Sequence, residues 1–368
     1  MTLPLAMHMA NSLLDVPVAA VTIVLAAAAV AISAARAQKS LEAEKLPLMG
    51  VMGAFVFAAQ MINFTLPGMP GTSGHLGGGV LLGILLGPAA GIITITSILI
   101  VQCLIFQDGG LLALGCNVIN IGVVPCLAGW WLYRTVLGRG ACPPAWRQYA
   151  AAWAACLVGV TGGAGLVPIQ AYMADRLVIP VTHFLAVMVG VHLVIGAIEG
   201  VVTFAILAYL RQVKPAYLSV QAASEPVKLS RKAVAISFLI TAFLLAGVAS
   251  WFASTYPDGL EWSLERNYGG ASTALRQPTE GAQAADKTQA RYALMPDYSR
   301  RAAPLGSVAP DSNGGRSGEG SWPTAKGWTS LAGVTGTGVT LLVIYIVSLL
   351  LRRRRRDRGR QATENAEG

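Results

Sequence analysis

Charge is scarce in this sequence: Asp, Glu, Lys and Arg make up 12% of its 368 residues and apolar types 54%, about half the charged share of an ordinary soluble domain. Such a chain cannot cover itself with a soluble surface and belongs in a bilayer. Its five cysteines (Cys103, Cys116, Cys126, Cys142 and Cys156) lie in or beside apolar blocks without a C-x-x-C pair. That argues against a disulfide framework or a thiolate metal site and reads them as small buried hydrophobes. No G-x-x-x-x-G-K-[ST] phosphate loop occurs, so any ATP that drives this protein is bound by another chain. An internal repeat of the inverted-repeat transporter type is also missing. The first basic residue is Arg36, behind the first apolar block; without the basic start of a cleavable signal peptide, the first helix is expected to remain, with the N-terminus outside. A formal charge of +9 does not indicate nucleic acid, because the basic residues flank apolar blocks, where anionic lipid and topology account for them.

What is abundant is apolar sequence in helix-spanning blocks. Candidate spans fall at about 16–35, 46–64, 76–87, 89–106, 112–133, 148–170, 182–210, 233–253 and 329–351, which predicts an all-α polytopic membrane protein of about nine transmembrane helices. Leu76 to Phe106 as one helix would be roughly 46 Å long against a hydrocarbon core of about 30 Å, and Gly87-Pro88 interrupts it. Two short crossings fit better. Charge supports the split: nine crossings put Arg36, Lys39 and Lys45, then Arg134, Arg139 and Arg147, then Arg211, Lys214, Lys228, Arg231 and Lys232, and finally seven Arg between Arg352 and Arg360 on the inside, against only Arg176 on a short outside loop. The C-terminus is then cytoplasmic. Residues 254–328, rich in Gly, Ala, Ser, Pro and charge, form a long extracytoplasmic loop between the last two helices, much of it expected to lack structure. The chain divides into a seven-helix unit (1–214), a cytoplasmic linker (215–232) and a two-helix unit (233–368) that ends in a basic tail (352–368).

Ionisable groups at membrane depth are costly, so they are the first functional candidates. Of four histidines, His8, His75 and His183 fall near the outer ends of the first, third and seventh helices, where imidazoles can converge. His8 lies in Met7-His8-Met9; with translation from Met7, an amine, an amide and an imidazole become available to one ion, a nitrogen set that suits Ni(II) or Cu(II). The alternative is an interfacial histidine at a helix start. His75 sits in a glycine-rich entry where backbone can approach an ion or another helix. His192 and Glu199, seven residues apart, share one helix face and read as a buried polar network with Asn117 and Asn120, or as a metal path.

Longer strings carry a resemblance. Gln60-Met61-Ile62-Asn63-Phe64, Leu66 to Gly79 (LPGMPGTSGHLGGG), Leu85-Leu86-Gly87-Pro88, Asp108-Gly109-Gly110, Gly115-Cys116-Asn117 and His192 to Gly200 (HLVIGAIEG) closely resemble the CbiM/NikM family of substrate-capturing components of energy-coupling factor transporters. Pro257 to Trp262 (PDGLEW), Tyr268-Gly269 and Met295-Pro296-Asp297-Tyr298 are similar to the PDGLE-type, NikN-like accessory module. The resemblance implies a non-catalytic subunit of the bacterial cytoplasmic membrane that captures Ni(II) or Co(II) as transported substrate, with no covalently bound cofactor. Its implied partners are an energy-coupling transmembrane protein and ATP-binding cassette ATPase subunits. It also implies ligation by the amine of Met7, the amide and imidazole of His8 and the imidazole of His75; Gln60, Asn63, Ser73, Asn117, Asn120, His192 and Glu199 are candidates for a polar network around that site. Six residues precede Met7 here, so the implied site requires either synthesis from Met7 or trimming of those residues, and synthesis from Met7 is expected. The planar nitrogen set and the PDGLE-type module lean toward nickel, and cobalt remains open. Rival readings are a metal sensor or structural membrane subunit, and a hydrolase built on Ser73 and His75.

Overall fold

In lipid the backbone must satisfy its own N–H and C=O groups, so long apolar runs resolve into helices. A computed structural model describes residues 8–40, 45–138, 143–218, 229–268, 271–299 and 327–367. Its helices are α1 (Val16–Ser40), α2 (Lys45–Gln60), α3 (Gly79–Leu86), α4 (Pro88–Val101), α5 (Leu114–Leu137), α6 (Ala145–Met173), α7 (Val181–Val213), α8 (Arg231–Gly247), α9 (Gly259–Tyr268), α10 (Glu280–Tyr292) and α11 (Gly327–Glu367). Among the described residues, six helices are long and apolar enough to cross a membrane: α1, α4 extended to Phe106, α5, α6, α7 and α11 up to Arg352. The chain is a multi-pass membrane protein.

The third apolar block differs from expectation. Its helix starts at Gly79 and has 8 residues, a rise of about 12 Å, while the second helix stops at Gln60 instead of running to 64. Pro67, Pro70 and the glycines between 68 and 79 cannot sustain a helix. That stretch instead forms a short antiparallel pair, β1 (Phe64–Thr65) with β2 (Ser73–Gly74), with Phe64 opposite Gly74. Gly87-Pro88 does interrupt the next segment, and α3 folds back onto α4 with Gly83 and Gly91 in close contact.

The helices α6 and α7 pack along most of their length, and α8 and α11 together cover α2. Inside α5, residues Val118–Val123 and Pro125–Gly129 are π-helical, a wide form that recurs at functional sites.

Much of the loop 254–328 is expected to lack structure; its described part, up to residue 299, carries α9 and α10 and lies over the bundle end that holds residue 8. Local caps start both helices: Asp258 Oδ1 accepts from Glu261 N at 2.8 Å, and Thr279 Oγ1 from Ala282 N at 3.2 Å. Docking holds them down. Leu260 and Leu264 are buried with Met9, Leu13, Phe184 and Met188, about 1.5–3 kcal/mol for each leucine fully withdrawn from water. Buried Arg176 donates to the carbonyls of Arg276 (2.6 Å), Gln277 and Ser12 (3.3 Å), tying three segments together. Residues 300–326 lie outside the described residues.

Candidate functional site

The end of the chain's first loop is drawn into the bundle by a polar cross-tie. Asn117 on α5 accepts from Met9 N at 3.1 Å and donates to Met9 O at 3.1 Å, while Gly110 N donates to Met9 O at 2.9 Å. A Cβ on Gly110 would stand 2.4 Å from Asn11 N, so the Asp108-Gly109-Gly110 turn needs glycine there for the first segment to lie on it. This arrangement sets His8 2% exposed, with its Nδ1–H donating to Asp108 Oδ1 at 3.1 Å. Tyr298, stacked on Phe106 at 4.7 Å, donates its hydroxyl to Asp108 Oδ2 at 2.7 Å. Both carboxylate oxygens are thus held, and whenever the His8 ring is neutral its lone pair lies on Nε2. That nitrogen is buried and has no hydrogen-bond partner.

His75 comes to the same place from the glycine-rich loop. Its ring centre lies 5.3 Å from that of His8 with the planes 80° apart, and its Nδ1–H donates to the Leu76 carbonyl at 3.2 Å. The loop behind it is clamped from two sides. Glu199 on α7 accepts from Gly77 N (2.7 Å) and Gly78 N (3.0 Å). Gln60 donates to Gly77 O at 2.7 Å and accepts from Gln102 at 2.9 Å.

Around these rings is a cavity of about 90 Å³, lined by His8, His75, His192, Glu199, Asn117, Asn120 and Asp258 among others. One water needs roughly 10–15 Å³ by this measure, so an ion with a few waters fits. Among the described residues, no three His, Cys, Asp or Glu side chains converge closely enough to hold a metal ion by themselves.

Burial disfavours charge on both members of the His8–Asp108 pair, and their mutual attraction outweighs it: the Asp108 carboxyl is lowered from the usual carboxylate value and the His8 imidazole raised. Burial dominates at Asp258, whose carboxyl is pushed up to about 7.

Several expected residues are brought together and others are not. His8 and His75 meet, and His192 joins them at the cavity wall, its Nδ1–H donating to Met188 O at 2.8 Å. His183 is exposed and stays away. Asn117 and Asn120 do not pair with His192 or Glu199: Asn117 holds Met9, and Asn120 exchanges two hydrogen bonds with Gln170 at 2.8 and 2.9 Å. Open loop amides satisfy Glu199 instead. Ser73 donates to the carbonyls of Tyr256 (2.8 Å) and Pro257 (3.2 Å), a docking role that leaves it no base of the kind a nucleophile needs. The Asn63 carbonyl accepts from Ser254 N at 2.7 Å. Met7 lies outside the described residues. Asp108, Tyr298 and Asp258 were missed as site residues, although each stands in a string already singled out.

Comparison with known proteins identifies the family of both parts of the chain. Residues 8–217 match the family model described as the cobalt uptake substrate-specific transmembrane region, and residues 232–353 match the PDGLE domain. A metal transport protein of Haloquadratum walsbyi is 35% identical over 57% of this chain and 92% of its own length. A fused nickel transport protein of Archaeoglobus fulgidus is 34% identical over 64% of this chain and 75% of its own. A cobalt transport protein of Geobacter sulfurreducens is 28% identical over 66% and 72%. With 210 consecutive residues matched from 8 to 217, the chain belongs to the CbiM family of nickel and cobalt transport membrane proteins, with a PDGLE domain carried behind the CbiM region.

Proposed function

We propose that this protein is the metal-capturing subunit of an energy-coupling factor importer in a bacterial cytoplasmic membrane, taking Ni(II) or Co(II) from outside while partner subunits hydrolyse ATP. The observation that carries the reading is the buried, unpartnered Nε2 of His8 beside His75 in a cavity of ion size. An ion about 2 Å from one nitrogen of each ring stands about 3 Å from each ring centre, so rings 5.3 Å apart are within reach of a shared ion. Asp108 behind His8 is the carboxylate that orients a ligating imidazole and raises its basicity. The remaining donor is the amine of Met7, with synthesis beginning at Met7; the amide of His8 cannot reach an ion held on Nε2 of its own ring. Gln60, Glu199 and Asn117 keep the two histidine-bearing loops in register.

The test is nickel and cobalt accumulation in cells carrying this chain with and without coupling and ATPase partners. Uptake that requires both the partners and His75 supports the reading, with His75→Ala and His8→Ala each abolishing it while the protein still inserts. Metal bound by the chain without partner-dependent uptake would favour a sensor or structural subunit.

A further inference from the structure

The cavity has a wall that the CbiM region does not supply. Asp258, Gly259 and Leu260 of the PDGLE domain line it together with His8, His75 and His192. The strip before them is held by its backbone: Ser254 N donates to Asn63 O at 2.7 Å, Ser73 N to Pro257 O at 2.9 Å, and Ser73 Oγ to Tyr256 O at 2.8 Å. Gly259 is pressed onto α7, where a Cβ would stand 2.6 Å from Val191 Cγ1 and 3.4 Å from His192 Cε1. These contacts fix the register and bring the Asp258 carboxylate to the cavity, 6% exposed. Its cap bond to Glu261 N occupies Oδ1, and a carboxylate offers about four lone-pair sites.

The buried, unpartnered Nε2 of His8 and the carboxyl group of Asp258 therefore share one enclosed space. A buried carboxylate is stable when it is paired or serves a cation. The carboxylates of Asp108 and Glu199 have both oxygens engaged, by His8 and Tyr298 and by two backbone amides, whereas the cap bond of Asp258 uses one oxygen. Since no three such side chains converge at ligand distance among the described residues, its contact with an ion runs through a coordinated water.

Resting on the metal site proposed above, we propose that Asp258 is a cargo-contacting residue contributed by the PDGLE domain, accepting a hydrogen bond from a water on the captured dication. The captured ion then bridges the two parts of the chain, and metal loading tightens the docking of residues 254–299.

The experiment uses the full chain in lipid nanodiscs, with nickel chloride as the probe. Affinity is read by titration calorimetry and docking by hydrogen exchange of the α9 amides. Asp258→Asn keeps the helix cap and the backbone ties and removes the charge. The expected result is unchanged metal-free protection of α9 and nickel binding weaker by about tenfold or more, with nickel slowing α9 exchange in the wild type and failing to do so in the variant. Wild-type affinity and wild-type nickel protection in Asp258→Asn, with His75→Ala abolishing binding, overturns this inference and leaves the histidine site standing. Loss of α9 protection without metal would show a purely structural role and also overturns it. Unchanged binding in both His75→Ala and His8→Ala overturns the underlying site instead.

Discussion

Replacing Asp108 with Asn separates what this carboxylate does for folding from what it does for the metal. Asp108 is 4% exposed and holds His8 at 3.1 Å and Tyr298 at 2.7 Å. Asn keeps an acceptor and loses the charge, so the metal-free protein should lose about 1–3 kcal/mol, the range for a charge-assisted buried bond, rather than the roughly 3–5 kcal/mol of a fully broken buried pair. The loss depends on pH with a definite sign. The Asp108 carboxyl is lowered, so its contribution is present above the unfolded value of about 3.9 and disappears as pH falls through the folded one; His8 is raised, so its contribution is full below about 6.5 and disappears as pH rises through its folded value. Thermal unfolding should therefore show the largest difference between wild type and variant near pH 5, shrinking toward pH 9. Metal binding should change in two ways at once. Protons compete with the ion for His8, and without Asp108 only the weaker attraction of Asp258 opposes burial at the ring, so the midpoint of the pH dependence moves to lower pH. The plateau affinity at high pH should fall by about 10–100-fold, because the ring is less basic and less well oriented. An unmoved midpoint together with an unchanged plateau would refute the role assigned to Asp108.

Other consequences follow from packing. Gly163→Ala puts a Cβ 1.9 Å from the Asn120 carbonyl, and overpacking of this kind costs about 1–3 kcal/mol, read as a lower melting temperature. Gly162→Ala meets only Val124 Cγ1 at 3.5 Å and should melt like the wild type. Arg176→Met removes donors from the carbonyls of Ser12, Arg276 and Gln277; limited proteolysis within 271–299 should accelerate, and equal rates would contradict the clamp.

How much of this was legible in the sequence follows from the range of each interaction. Apolar block length located the long helices, and the break at Gly87-Pro88 was visible because it is chemical and local. The meeting of His8 and His75 was foreshadowed by their positions at helix entries on one side. Asp108 was not, since an acidic residue just past an apolar block looks like any interfacial charge until His8 and Tyr298 reach it across 100 and 190 positions. Much of 254–328 reads as unstructured because its composition supports no core of its own; the order of its described residues up to 299 comes from a preformed wall, on which Leu264 is fully buried. Glu199 was placed in a side-chain network because helices hide their amides, whereas the loop that replaced the start of the third helix leaves Gly77 and Gly78 open to it.

The most direct measurement is competitive titration of Ni(II) and Co(II) into the purified full chain with a defined N-terminus, alongside His8→Ala and His75→Ala. The account predicts one dication per chain, strongest when the chain starts at Met7, and no detectable binding in either variant although both insert into membranes. Equal stoichiometry and affinity in the wild type and both histidine variants would contradict it.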